Sequence, residues 1–282
     1  MRFIETLVEA ERQNDSLLCV GLDPEPARFP GAWRGDAARI FDFCAAIVDA
    51  THDLVLAFKP QIAFFAANRA EDQLERLVAH VHRVAPQVPV ILDAKRGDVG
   101  TTAEQYAREA FERYRADAVT LSPLLGLDSL EPWLAHPEKG LFMLCRTSNP
   151  GGSDLQAQRL ESGEFLYERI ARLAAEDWNR TGGIGLVVGA TFPAELARVR
   201  ELAPRLPILV PGVGAQGGDA AATVRAAWRS AAGRTTGPIL VSSSRGILYA
   251  GSDGDFAAAA RRAARGLRDE LNRARERTEP IR

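Results

Sequence analysis

Cysteine is scarce, with three residues spread over a chain of 282. That excludes a disulfide-built scaffold, which belongs to small secreted chains with closely spaced pairs. Cys19 and Cys145 lie inside apolar runs and read as reduced core residues of a cytoplasmic protein. No apolar stretch approaches the ~18 residues of a membrane span. The opening MRFIETLVEAERQNDS spaces Phe3, Ile4, Leu7 and Val8 at helical intervals among acids. It reads as an amphipathic helix, whereas a secretory signal needs an unbroken apolar run. Charge of one sign is also lacking: the net charge is −2, and Lys and Arg are dispersed. Neither a nucleic-acid surface nor a membrane surface is expected. The four histidines have no ligand spacing, and His80 and His82 face different ways on a predicted helix. There is no nucleophile elbow, no low-complexity tract and no linker. Neither a metal nor a covalent cofactor is indicated.

What the chain does have is a recurring short apolar run with a turn signal after it. LLCVGLD (17–23), LVLAFKP (54–60), VPVILDAK (88–95), AVTLSP (118–123), LFMLCRTS (141–148), IGLVVGAT (184–191), PILVPGVG (207–214) and PILVSSSRG (238–246) make eight. Each is too short for a core helix and rich in Val, Ile and Leu, as buried parallel strands are. Helical patterns alternate with them: 36–53 with Asp36 as N-cap, 71–85, 102–116, 164–180 and 255–278. Eight βα alternations predict an α/β fold, a single (β/α)₈ TIM barrel with an N-terminal helix, spanning 1–282 as one domain. An open doubly wound sheet is the rival. The connection 149–183, opening Asn-Pro-Gly-Gly, is long enough for a lid.

Barrel chemistry gathers at the C-terminal ends of strands. The polar residues there are Asp23, Lys59, Asp93, Lys95, Ser122, Ser148, Thr191 and Arg245. In ILDAKRGDVGTT (91–102), strand alternation puts Ile91, Asp93 and Lys95 on one face and Leu92 and Ala94 on the other. The second face suits helix packing, so Asp93 and Lys95 point into the barrel mouth. Lys59 ends the neighbouring strand, and Asp98 lies in the loop beyond. A solvated charged turn fits this alternation poorly; an ion-pair network closing the barrel end is the competing structural reading.

PGVGAQGGD (211–219) formally matches a dinucleotide fingerprint, but it follows the seventh strand and no acid lies between Asp219 and Gly246. It reads better as a glycine-rich phosphate-binding turn. SSSRG (242–246) ends strand 8, and the loops after strands 7 and 8 are the usual phosphate site of the fold. The stretch Arg146 to Gly152 fits either a loop folded over a ligand or a plain loop.

Lys59, Asp93-x-Lys95-x-x-Asp98, Ser148-Asn149-Pro150-Gly151, the glycine-rich turn from Pro211 to Gly218, and Arg245-Gly246 together resemble the orotidine 5′-phosphate decarboxylase family. The form LDAKRGDVGTTA is similar to its bacterial subgroup. The likeness runs from Gly21 to Gly246. It implies metal-free, cofactor-free conversion of orotidine 5′-monophosphate to UMP and CO₂ in pyrimidine biosynthesis. It also implies an alternating charged array of Lys59, Asp93, Lys95 and Asp98, with Lys95 the proton donor. Asp98 and Thr102 would reach the site of a partner subunit in a homodimer. Asp23 and Lys59 would hold ribose hydroxyls, Ser148 the pyrimidine ring, and Gln216 and Arg245 the phosphate, with Pro211 and Gly246 beside the ligand. Ser244 departs from the pattern, standing where many relatives have glycine. Two alternatives stay open: a sugar-phosphate decarboxylase or lyase on the same barrel, metal-dependent, and a non-catalytic nucleotide-phosphate binding protein.

Overall fold

A computed structural model describes residues 2–213, 217–231 and 234–278. Eight parallel strands run in chain order as β1 Leu18–Leu22, β2 Ala57–Pro60, β3 Ile91–Arg96, β4 Ala118–Leu121, β5 Gly140–Arg146, β6 Ile184–Val188, β7 Ile208–Pro211 and β8 Ile239–Ser243. They pair in the order β2-β1-β8-β7-β6-β5-β4-β3. The circle closes through the parallel bridges Phe58–Val90 and Gln61–Asp93 and a bond from the Phe58 amide to the Pro89 carbonyl. The result is the (β/α)₈ barrel, and the open-sheet alternative falls with its free edges.

Strand alternation builds two cores. Leu18, Val20, Leu92, Val119, Val210 and Val241 face outward and pack under the helices. Cys19, Ala57, Ile91, Ala118, Phe142, Val187, Leu209 and Leu240 face inward. The amphipathic N-terminal helix, Phe3–Asn14, plugs the lower end with Phe3, Leu7 and Ala10. Phe3 meets Phe142 edge to face at 5.8 Å between centroids. A Cβ on Gly140 would collide with the Phe3 ring, so glycine at 140 makes the plug possible.

One inward step up from Ala57, Ile91 and Ala118, the residues are Lys59, Asp93 and Thr120. The period of two therefore lifts three polar side chains into the barrel mouth above an apolar floor. All three cysteines are buried and unpaired. No helix among the described residues is long and apolar enough to cross a membrane.

Asp36 does cap its helix: its carboxylate accepts the Ala38 amide at 2.9 Å, opening a 3₁₀ turn that leads into helix Ile40–Thr51. The helices expected over 102–116 and 164–180 each change pitch. Helix Gly100–Arg108 passes into a π-turn at Glu109–Arg113, and helix Leu166–Leu173 into one at Ala174–Trp178. Glu109, the first π residue, receives a forked bond from Arg96 at the end of β3, with contacts of 2.8–3.1 Å.

Candidate active site

Asp93 is the centre of the mouth. Its Oδ2 accepts from Lys59 Nζ at 2.9 Å, and its Oδ1 accepts from Lys95 Nζ at 2.5 Å. Thr120 Oγ1 donates to Oδ1 at 2.9 Å. Lys59 and Asp93 are buried, while the Lys95 side chain keeps 46% of its surface exposed. Burial works against the charge on Lys59, but Asp93 and Asp23 outweigh it and hold the ammonium well above the ordinary lysine range. Burial likewise raises Asp93, and the two lysines reverse this and hold the carboxyl well below the usual range. Lys59 and Asp93 are thus both kept ionised in the buried part of the mouth, with the Lys95 side chain beside them at its open edge.

The route by which Lys95 arrives there differs from plain alternation. Lys95 has a left-handed backbone, φ 48°, and the register of β3 on β4 shifts between Leu92 and Arg96. The amides of Ala94 and Lys95 both donate to Thr120 Oγ1 at 3.0 Å. A bulge, held by a side chain from the next strand, turns the ammonium back onto Asp93.

Asp23, after β1, offers a second carboxylate. Oδ2 accepts from Ser244 Oγ at 2.6 Å, and the Asp23 carbonyl accepts from Tyr249 Oη at 3.0 Å. Among the described residues, Oδ1 is buried without a partner. A Cβ on Gly21 would fall 2.8 Å from Ser244 Cβ, so the small residue at 21 admits the serine at 244. The departure from glycine at 244 therefore adds a hydroxyl to the Asp23 carboxylate.

The cavity holds about 520 Å³. Lys59, Asp93, Lys95 and Thr120 form one wall, and Leu144, Val187, Leu209 and Pro211 form an apolar one. Ser148, Asn149, Gly151, Gly152 and Leu155 reach in from the connection after β5. That connection is pinned at its root. Arg146 is buried, stacks on Phe192 at 3.8 Å, pairs with Glu195, and donates to Ser153 Oγ at 2.9 Å. Gln156 accepts the Thr147 amide at 2.8 Å and donates to Thr147 Oγ1 at 3.0 Å. Leu155 is left exposed at the rim. The stretch from Thr147 to Gly152 thus lines the cavity.

The other residues singled out from the sequence divide. Arg245 and Gly246 begin the short helix Arg245–Leu248 and are exposed above β8. Thr191 donates to the Ser148 carbonyl at 3.2 Å, while Ser122 is tied by its amide to the Arg96 carbonyl at 2.8 Å. Asp98 accepts its neighbour Val99's amide at 2.8 Å, and among the described residues it makes no ion pair with Lys59 or Lys95. Thr102 is exposed in the first turn of its helix. Gln216 lies outside the described residues, as do Gly214 and Ala215. Thr120, Gln156 and Ser244's partner role went unseen in the sequence. Thr120 carries a readable signal, an inward polar register on β4; the other two do not.

A model of the orotidine 5′-phosphate decarboxylase / HUMPS family matches residues 16–263. A curated orotidine 5′-phosphate decarboxylase of Methylibium petroleiphilum is 69% identical over 278 residues, 98% of this chain and all of the relative. That of Polaromonas naphthalenivorans is 70% identical over 278 residues, covering 98% and 97%. Among solved structures, Leishmania donovani OMP decarboxylase superposes with a TM-score of 0.83 at 40% identity, covering 98% of this chain and 99% of that one. A Toxoplasma gondii structure described as a putative orotidine-monophosphate decarboxylase gives 0.86 at 36% identity, covering 98% and 96%. Near-complete coverage at such identity leaves one conclusion: the chain belongs to the orotidine 5′-phosphate decarboxylase / HUMPS family.

Proposed function

We propose that the chain removes CO₂ from C6 of orotidine 5′-monophosphate to give UMP, with Lys95 as the proton donor. The observation that carries the reading is a buried carboxylate, Asp93, clamped between two lysines and facing an apolar wall. Breaking the C6–carboxylate bond leaves its electron pair in the ring plane, where no adjacent π system delocalises it. Stabilisation must come from charges already in position. The Lys95 ammonium faces the developing carbanion and transfers its proton to form the C6–H bond, then regains a proton from water. Asp93 sits against the substrate carboxylate, and that like-charge contact is relieved as CO₂ departs.

The rest of the mouth suits the rest of the nucleotide. Asp23, whose Oδ1 has no partner among the described residues, and Lys59 hold ribose hydroxyls, and Ser148 bonds the pyrimidine against Leu144, Val187 and Leu209. Arg245, Gly246 and Gln216 take the phosphate, whose remote binding energy orients the base and draws the loop after β5 closed. Asp98 and Thr102 serve the site of a second copy of the chain. Supporting this, Asp98 makes no ion pair with Lys59 or Lys95 among the described residues, its chain neighbour Val99 is exposed, and Leu124 and Leu125 expose apolar surface in the loop after β4.

The sugar-phosphate alternative shares the family model, but relatives 65–70% identical over nearly the whole chain carry the decarboxylase name. An ultraviolet assay with orotidine 5′-monophosphate, with and without excess EDTA, tests the reading. Conversion to UMP that ignores EDTA is expected. EDTA-sensitive turnover would move the assignment to a metal-dependent enzyme, and binding without turnover to a nucleotide-phosphate binder.

A further inference from the structure

We infer that Thr120 is a positioning residue for the proton donor, acting through its hydroxyl on the backbone of Lys95; this rests on Lys95 having that role. A threonine oxygen has two lone pairs and one proton. Both lone pairs are taken here, by the amides of Ala94 and Lys95 at 3.0 Å each. The single proton therefore goes to Asp93 Oδ1, 2.9 Å away, which is the same oxygen that accepts from Lys95 Nζ. The bonds close a ring. Lys95 is tied at its backbone to Thr120 and at its ammonium to Asp93, and Thr120 joins the two anchors.

The ring has work to do. Lys95 is a non-glycine residue at φ 48°, a conformation that persists only where the surroundings impose it. The pairing of β3 with β4 shifts register between Leu92 and Arg96, so this stretch of backbone has lost regular strand partners, and the Thr120 oxygen supplies the acceptor instead. Take the hydroxyl away and the two amides lose their acceptor. The bulge then relaxes toward an extended strand and the ammonium loses its aim. Thr120 lines the cavity, but phosphate and ribose fall to other residues. Its loss therefore acts on the chemical step and spares nucleotide binding.

The test is steady-state kinetics of Thr120→Val and Thr120→Ser beside Lys95→Ala, with UMP affinity from calorimetry and folding from thermal melts. Thr120→Val is expected to lower kcat about 100-fold, the scale of an ångström of misplacement. KM and UMP affinity should stay within about threefold. Thr120→Ser, which keeps the oxygen, should recover kcat to within about fivefold. If the valine variant does not fold, Thr120→Ala replaces it with the same expected split. A kcat for Thr120→Val or Thr120→Ala near that of the parent overturns the inference. So does a serine variant as slow as the valine one, which would make the methyl packing the cause. So does a loss shared equally with UMP affinity. Lys95→Ala separates the two levels: if it retains turnover, the donor assignment fails first; if it is inactive while Thr120→Val is unimpaired, only the role of Thr120 fails.

Discussion

Lys59 Nζ and Asp93 Oδ2 lie 2.9 Å apart, both side chains buried, across the seam where β2 meets β3. Regular strand pairing is thin at that seam, with Phe58–Val90 and Gln61–Asp93 as isolated bridges. A pair so placed is both a structural clasp and half of a charge array. Buried ion pairs contribute little net stability, yet removing one partner is costly because the other charge is stranded.

Asp93→Ala and Lys95→Ala should therefore separate stability from chemistry. Asp93→Ala abolishes turnover and destabilises the fold by roughly 3–5 kcal/mol, toward the lower end because Asp23 still faces Lys59. Lys95→Ala abolishes turnover with a stability change below about 1 kcal/mol, since its side chain is half solvated. Urea unfolding monitored by circular dichroism measures both. Substantial residual turnover in Lys95→Ala would remove it as proton donor.

The pH dependence of the Lys59–Asp93 coupling has a definite sign. Asp93 is held low, so its contribution is present above the unfolded aspartate value of about 3.9 and declines as pH falls toward its lower folded value. Lys59 is held high, so its contribution is complete below about 10.4 and declines as pH rises toward its higher folded value. A double-mutant cycle on the two positions should give a coupling energy flat from about pH 5 to 9 that shrinks below about pH 4. A coupling that titrates near neutrality would contradict the assignment of both as charged.

Mixed dimers test the proposed sharing of the site between two copies of the chain. Inactive Lys95→Ala and Asp98→Ala chains, combined one to one and allowed to exchange, should recover about a quarter of parent activity, since half the dimers carry one complete site of two. Subunit exchange is followed by resonance energy transfer between labelled chains. Exchange without recovery would count against a site shared between subunits.

Arg200 supplies the opposite case, a buried cation with no chemistry. It is 1% exposed and donates to the carbonyls of Ala203, Pro204, Leu206, Ala227 and Pro238, stapling the entries to β7 and β8 at the lower end of the barrel. Arg200→Met should cost about 3 kcal/mol, because buried carbonyls lose their donors, and leave kcat unchanged. A thermal melt and a single assay decide this; a fall in kcat for the folded variant would show coupling between the two ends.

Much of this architecture is local in origin and readable from the chain. Each strand is a short run of Val, Ile and Leu that satisfies a period of two, and its length alone separates it from a core helix. The same period predicts that Lys59 and Asp93 point inward, because Ala57 and Ile91 two residues earlier must do so to fill the barrel. The N-terminal helix carries its own amphipathic spacing. The positions of the proposed catalytic residues at strand ends follow from these facts.

Other features depend on chain segments that meet only in the folded barrel. Alternation brings Lys95 to the right side, but its left-handed backbone and its contact with Asp93 depend on the hydroxyl of Thr120, one strand away. Ser244 reaches Asp23 across 221 positions, and only because Gly21 leaves room. Gln156 folds back to hold Thr147. By itself the sequence determined the periodicity, and with it the strands, their inward faces and the charges they carry, since those obey nearest-neighbour geometry. Only the tertiary structure decided how the charges are aimed, because a hydrogen-bond acceptor for a broken strand register must come from whatever side chain the neighbouring strand places within 3.0 Å.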